Sequence, residues 1–296
     1  MHYTVRKPST TERVPVRGLE YSVRRWGPAD APKVFLLHGW MDTSATFQFV
    51  VDALRHDWQL IAPDWRGYGE TTWLHRPYWF PDYYADLEAL LAHYAPEGPV
   101  RLVGHSMGAN IAGIYAGLRP QRVARLAMLD FIGLKVPADV DAPQQLGRWL
   151  DAQLVPPPAR AYADRAALAA RLRVANPRLT PARAEFLCRH LGRVRSDGQV
   201  EIAGDPWHKI PSPAVYRIED AMACWRRVRA PALMLVSAEG YVHDRFADEP
   251  EELQRRIGCF ANARVVTVPD CGHNLQHDQP EVVAAALEDF LDRETP

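Results

Sequence analysis

The residues best placed to do chemistry lie between Val100 and Gly117, VRLVGHSMGANIAGIYAG, where an apolar run enters Gly-His-Ser-Met-Gly and leaves as small-residue helical text. A serine at that junction is either a tight structural corner, in effect a helix N-cap, or a nucleophile. The match to Gly-x-Ser-x-Gly is modest taken singly, with about 0.1 chance occurrences expected in a chain this long. Its context adds to it. A strand precedes, a helix follows, and Gly104, Gly108 and Ala109 are small where a sharp strand-to-helix turn would crowd any Cβ. Ser106 would then stand exposed at the C-terminal end of its strand. The Met107 N–H would point outward there, with the positive end of a helix dipole behind it, a place suited to developing negative charge.

A serine hydroxyl needs a base within hydrogen-bond reach. Of the eleven histidines, His273 fits best. It lies in VPDCGHNLQHDQP, a Gly-flanked loop after the last expected strand and before the last helix. His277, four residues on, leaves a shared turn or a metal pair as the competing readings, but no third ligand stands near in sequence. His105 and His38 read as structural. The imidazole in turn requires a carboxylate to fix its tautomer.

The elements that must position these residues are legible from the pattern. PKVFLLHG, WQLIAPD, VRLVGHS, RLAMLDF, PALMLVS and ARVVTVPD read as buried parallel strands. Between them PDYYADLEALLAHYA, MGANIAGIYAGLRP and PEVVAAALEDFLDR have helical spacing, the last opening on Pro280. Strand and helix alternate, which predicts an α/β fold with a mostly parallel sheet. The alternation breaks once. Residues 134–229, Pro-rich from Pro156 and then Ala/Arg-rich, are expected to form a helical cap inserted into a core built from 1–133 and 230–296.

Composition narrows the function. Lys and Arg number 35 against 36 acidic residues, a net charge of −1 that provides no field to recruit nucleic acid. No apolar run approaches a membrane span and no apolar leader opens the chain, so a cytoplasmic protein is expected. Cys188, Cys224, Cys259 and Cys271 contain no Cys-x-x-Cys pair and read as free thiols.

LLHGWMD from Leu36, APDWRGYGET from Ala62, VGHSMGA from Val103 and VPDCGHN from Val268 occur in one order, and together the chain resembles the α/β-hydrolase family. The resemblance covers nearly everything outside the expected cap. It implies the α/β-hydrolase fold, a Ser–acid–His order, and an oxyanion hole made by the backbone N–H groups of Trp40 and Met107. Asp64 and Arg66 carry no chemistry in this reading. Relatives usually place an aspartate a few residues after the strand matching ALMLVS; here the text is LVSAEGYVHD, so Glu239 falls nearest the expected place and Asp244 lies too far along. Asp130, in AMLDFIG, is the rival acid, at a position that dehalogenase-type relatives use.

A serine nucleophile argues against dehalogenase and epoxide hydrolase chemistry, which needs a carboxylate. The expected reaction is hydrolysis of a carboxylic ester or related acyl bond on a small, apolar substrate, with no cofactor and no metal. A carbon–carbon bond hydrolase or a cofactor-free perhydrolase would use the same three residues, and a non-catalytic ligand-binding protein could keep the fold. Trp40, Trp73, Trp79, Trp149, Trp207 and Trp225 are candidates for a pocket mouth. Homo-oligomer formation is left open.

Overall fold

The computed structural model describes residues 2–135, 140–155 and 157–292; Pro156, where the Pro-rich run begins, lies outside them. The six apolar runs are strands: β3 (Lys33–Leu37), β4 (Gln59–Pro63), β5 (Val100–His105), β6 (Val123–Leu129), β10 (Ala232–Ser237) and β11 (Ala263–Val268). They pair in parallel within a sheet of order β1-β2-β4-β3-β5-β6-β10-β11. Two strands of this sheet were not anticipated. β1 (Thr10–Val16) and β2 (Leu19–Trp26) form an antiparallel hairpin that adds to β4. Its turn, Arg17-Gly18, has positive φ at both residues, the geometry that matches strand twist in a two-residue loop.

The inner strands β3, β4, β5, β6 and β10 are mostly buried and largely apolar because helices cover both faces of the sheet there, whereas the edge strand β11 is mostly exposed or half-buried. Phe35 and Leu37 point into a core shared with α2 (Pro81–Tyr94) and α3 (Met107–Leu118), whereas Val34 and Leu36 point into one shared with α1 (Gln48–Ala53) and α11 (Pro280–Leu291). In a strand, successive side chains alternate faces, so one run supplies both cores.

Between β6 and β10 the chain carries α4 (Ala142–Gln153), α5 (Arg165–Ala175) and α6 (Pro181–Leu191), with N-caps from Asp141, Asp164 and Thr180. This stretch differs from the expected helical cap in two respects. It also holds a small antiparallel sheet, β7 (Ala161–Tyr162), β9 (Val200–Ile202) and β8 (Gly192–Val194), in that spatial order. Its final helix, α7 (Ile218–Trp225), packs on α3 within the core, where Met222 and Trp225 are buried. Short two- and three-residue strands leave too little periodicity to read, and the apolar side of α7 is matched by glycines of α3 that let the backbones approach. The insert is also moored to the loop after β4, through Gly69 N–H to Ala203 O (2.7 Å) and Asp205 N–H to Gly67 O (2.8 Å). The remaining helices, α8 (Tyr241–Phe246), α9 (Pro250–Ile257) and α10 (Leu275–Asp278), follow β10 and β11.

At the turn into α3, Gly108 packs so closely that a Cβ there would overlap the Leu37 carbonyl of β3. Gly108→Ala is therefore expected to cost about 3 kcal/mol or more, read as a lowered denaturant midpoint in urea unfolding.

Candidate active site

Ser106 sits between β5 and α3 at φ 51°, ψ −115°, a conformation that non-glycine residues rarely hold. The turn is fixed by Ser106 N–H donating to Leu129 O (3.1 Å) and Asn110 N–H donating to Ser106 O (3.0 Å). The loop after β3 presses against it: a Cβ on Gly39 would stand 3.2 Å from the Ser106 Cβ.

His273, in the loop between β11 and α10, faces Ser106 across the end of the sheet. Its Nε2 lies 2.9 Å from Ser106 Oγ, and its Nδ1 lies 2.8 Å from Asp130 Oδ2. A carboxylate can only accept, so Nδ1 carries the hydrogen and Nε2 is left free to accept from the serine hydroxyl. The carbonyl of His273 accepts from His105 Nε2 (2.9 Å), which ties the histidine loop to the serine turn.

Asp130 follows β6 and is fully buried. Besides His273 it accepts from the backbone N–H of Ser237 (3.1 Å) and of Tyr241 (2.7 Å). The Ser237 amide ends β10 and the Tyr241 amide opens α8, and Gly240 between them is packed on the same carboxylate, where a Cβ would overlap Oδ2.

The expected first choice for the acid, Glu239, does not meet His273. Its side chain is 59% exposed and paired with Arg178 of the α5–α6 loop. The amides of Ser237 and Tyr241 are directed at Asp130, and the carboxylate that stands beside the imidazole is that of Asp130, which follows the neighbouring strand β6. Asp244 is likewise exposed, beside His243. Asp64 accepts from Ser44 N–H (2.7 Å) and Arg66 binds buried Asp86, so both are engaged in the framework.

Among the described residues, Ser106 lines a larger and a smaller cavity. The larger, about 410 Å³, is walled by Tyr68, Tyr78, Phe80, Tyr83, Phe131 and Tyr241, with Asn110 and His208. His208 is stacked between Tyr68 (4.0 Å) and Tyr78 (3.7 Å), and buried Asp205 holds the Tyr78 hydroxyl at 2.8 Å. Sequence reading had pointed to tryptophans. Of these, Trp40 lines the cavity and is 53% exposed, whereas Trp225 is core. The tyrosines were not among them, although PYWFPDYYADL carries five aromatics, of which Tyr78, Phe80 and Tyr83 reach the cavity. The smaller cavity, about 240 Å³, reaches Ser106 from the side of His273.

His208 lines the larger cavity and His105 and His277 the smaller, and burial perturbs these and two further imidazoles. Burial lowers His38 and His190 to about 4, and His208 and His277 to about 3, and pushes His105 well below its ordinary value. Below about pH 6.5 the unfolded chain binds protons at these positions and the folded chain does not, so stability falls with pH. Asp42 acts oppositely, since burial raises its carboxyl to about 7, but the histidines outnumber it. The melting temperature is expected to be flat near neutrality and to fall steeply from about pH 6 toward pH 4 in a scanning-calorimetry series. A flat profile across that window would contradict this.

A family model described as alpha/beta hydrolase fold matches residues 32–280, and the chain belongs to that family. It is a hydrolase: it is 28% identical to a serine hydrolase-like protein of Danio rerio, over 99% of this chain and 91% of that one. It is also 32% identical to the lipase LipV of Mycobacterium tuberculosis, over 50% of this chain and 55% of the lipase. Among solved structures, the thioesterase domain from the curacin biosynthetic pathway superposes with a TM-score of 0.84 at 22% identity, covering 95% of this chain and 99% of that domain. Among the described residues no helix is long and apolar enough to cross a membrane.

Proposed function

We propose that this protein is a serine hydrolase that cleaves a carboxylic ester through an acyl-serine intermediate. The observation that carries the reading is the continuous hydrogen-bonded chain from Ser106 Oγ through His273 to Asp130. In this reading His273 Nε2 takes the serine proton as Oγ attacks the acyl carbonyl. The oxyanion is held by the backbone N–H groups of Trp40 and Met107. That assignment is supported by the closeness of the Gly39 loop to Ser106 and by the position of Met107 at the start of α3. His273 gives the proton to the departing alcohol, then takes one from the water whose oxygen attacks the acyl-serine, and passes it to Ser106 Oγ as the acyl C–O bond breaks and the acid leaves. Asp130 keeps Nδ1 protonated and stabilises the imidazolium. The described residues between Leu134 and Arg217 are read as the cap over the site, with α7 part of the core.

The test is reaction with a fluorophosphonate, with the adduct mapped by peptide mass, together with turnover of p-nitrophenyl esters of increasing chain length. A single adduct on Ser106 with ester turnover is expected. An unlabelled Ser106 and no turnover would remove the reading in favour of a binding role.

A further inference from the structure

We infer that Asp205, a buried carboxylate of the insert, is the positioning residue for acyl selectivity: it locks Tyr78 and His208 into the wall of the larger cavity, and that cavity takes an uncharged, apolar acyl chain of medium length. This rests on the ester-hydrolase reading above.

Proton transfer assigns the larger cavity to the acyl group. His273 Nε2 must reach the oxygen that leaves, and His273 lines the smaller cavity but not the larger one. The larger cavity instead meets Ser106 together with Met107, whose N–H is a donor to the oxyanion in that reading.

Its wall is made of rings rather than free hydroxyls. The Tyr78 hydroxyl is engaged by Asp205 and by the Leu74 N–H (2.8 Å), and the Tyr241 hydroxyl by the Gly133 carbonyl (3.2 Å). The Tyr83 hydroxyl lies 3.3 Å from His208 Nδ1, and Tyr68 Oη and His208 Nε2 are sealed from solvent. Among the described residues of the lining there is no Asp, Glu, Lys or Arg, and burial keeps His208 neutral by lowering it to about 3. A charged group on the acyl chain would lose its water there without gaining a partner. A volume of about 410 Å³ equals roughly fourteen waters at about 30 Å³ each, so an octanoyl tail fits.

Asp205 joins the insert to the loop that carries this wall. Its backbone N–H donates to Gly67 O (2.8 Å). Its Oδ2 accepts from the Tyr78 hydroxyl (2.8 Å) and the His75 N–H (2.9 Å), and its Oδ1 from the Trp207 N–H (3.1 Å), one residue before His208. His75 stands at φ 52°, a left-handed conformation that persists only where its surroundings hold it. At Gly67 a Cβ would overlap both the Tyr78 hydroxyl and His208 Nε2, so the loop is glycine where the two rings meet. One fully buried carboxylate thus holds the core loop and the insert in the register that stacks Tyr78 on His208, 3.7 Å between ring centroids.

The experiment reads kcat/KM for p-nitrophenyl octanoate relative to p-nitrophenyl acetate, a ratio from which loss of active protein cancels. Wild type is expected to favour the octanoate by about tenfold or more. It is also expected to favour p-nitrophenyl heptanoate over the p-nitrophenyl monoester of adipic acid, similar in size but charged, by about tenfold or more. In Asp205→Asn either orientation of the amide sets its NH₂ group against a backbone N–H, of His75 or of Trp207, and the octanoate-to-acetate ratio is expected to fall about tenfold. Tyr78→Phe, which keeps the ring and loses the hydroxyl, is expected to lower that ratio about threefold. A role in stability alone would lower both rates together. An unchanged ratio in Asp205→Asn, or in Tyr78→Phe should the first variant fail to fold, would overturn the inference, as would a wild type that favours the acetate or the adipate ester. No turnover of any of these esters and no fluorophosphonate adduct at Ser106 would overturn the hydrolase reading, and this inference with it.

Discussion

Asp130→Asn is expected to lower kcat for p-nitrophenyl esters by about 10³- to 10⁴-fold, while Glu239→Gln stays within about threefold of wild type. The asymmetry follows from what each carboxylate touches. Asp130 meets three N–H donors, those of Ser237, Tyr241 and His273. An asparagine presents one oxygen and one NH₂ group to the same three donors, so an N–H must face an N–H. The relief available is for His273 to move its hydrogen to Nε2, where it can no longer accept from Ser106, and turnover is lost by tautomer rather than by unfolding. Circular dichroism melts of both variants separate the two causes. Glu239 is exposed and paired with Arg178 across the surface, an interaction of little energetic consequence. If Glu239→Gln lost activity on that scale and Asp130→Asn did not, the assignment of the acid would be reversed.

Ser106→Ala should abolish fluorophosphonate labelling and reduce kcat/KM by about 10⁴- to 10⁶-fold, the range seen when a triad nucleophile is removed. The backbone at this position makes a second, independent reading possible. Ser106 is held at φ 51°, where an L-residue is strained by roughly 1–3 kcal/mol and glycine is not. Ser106→Gly should therefore be as inactive as Ser106→Ala yet melt at the same or a higher temperature, although glycine's greater freedom in the unfolded chain offsets part of the gain. Strain held in a residue whose side chain is needed for function accounts for a variant that loses activity without losing stability. Ser106→Gly melting well below Ser106→Ala would show that the turn is not strained. Substantial ester turnover in either variant would place the nucleophile elsewhere.

The parts of this protein that were legible from sequence share a local cause. The inner strands were readable because a strand buried on both faces is apolar along most of its length, the edge strand β11 because its Val-rich run keeps β propensity although it is largely exposed, and the turn at Ser106 because only small residues fit where β5, β3 and α3 meet. His273 was readable because a Gly-flanked loop after the last strand has one sheet edge to reach. The β1–β2 hairpin escaped because its alternating, half-exposed pattern is weak, and the small sheet of the insert because strands of two or three residues carry no period.

The acid was a different matter. Glu239 and Asp130 both follow core strands of the same parallel sheet, β10 and β6, which are adjacent. Spacing along the chain therefore places both near His273 and ranks them by analogy. Which one turns inward depends on where the segment after each strand sends its backbone amides. In the folded protein the Ser237 and Tyr241 amides converge on Asp130 and leave Glu239 at the surface with Arg178. The sequence by itself determined the fold class, the serine turn and the histidine loop, because each is written in contiguous residues. The choice of carboxylate and the tyrosine-lined cavity were decided by tertiary structure, because hydrogen bonds and packing between segments far apart in the chain have no signature in either segment.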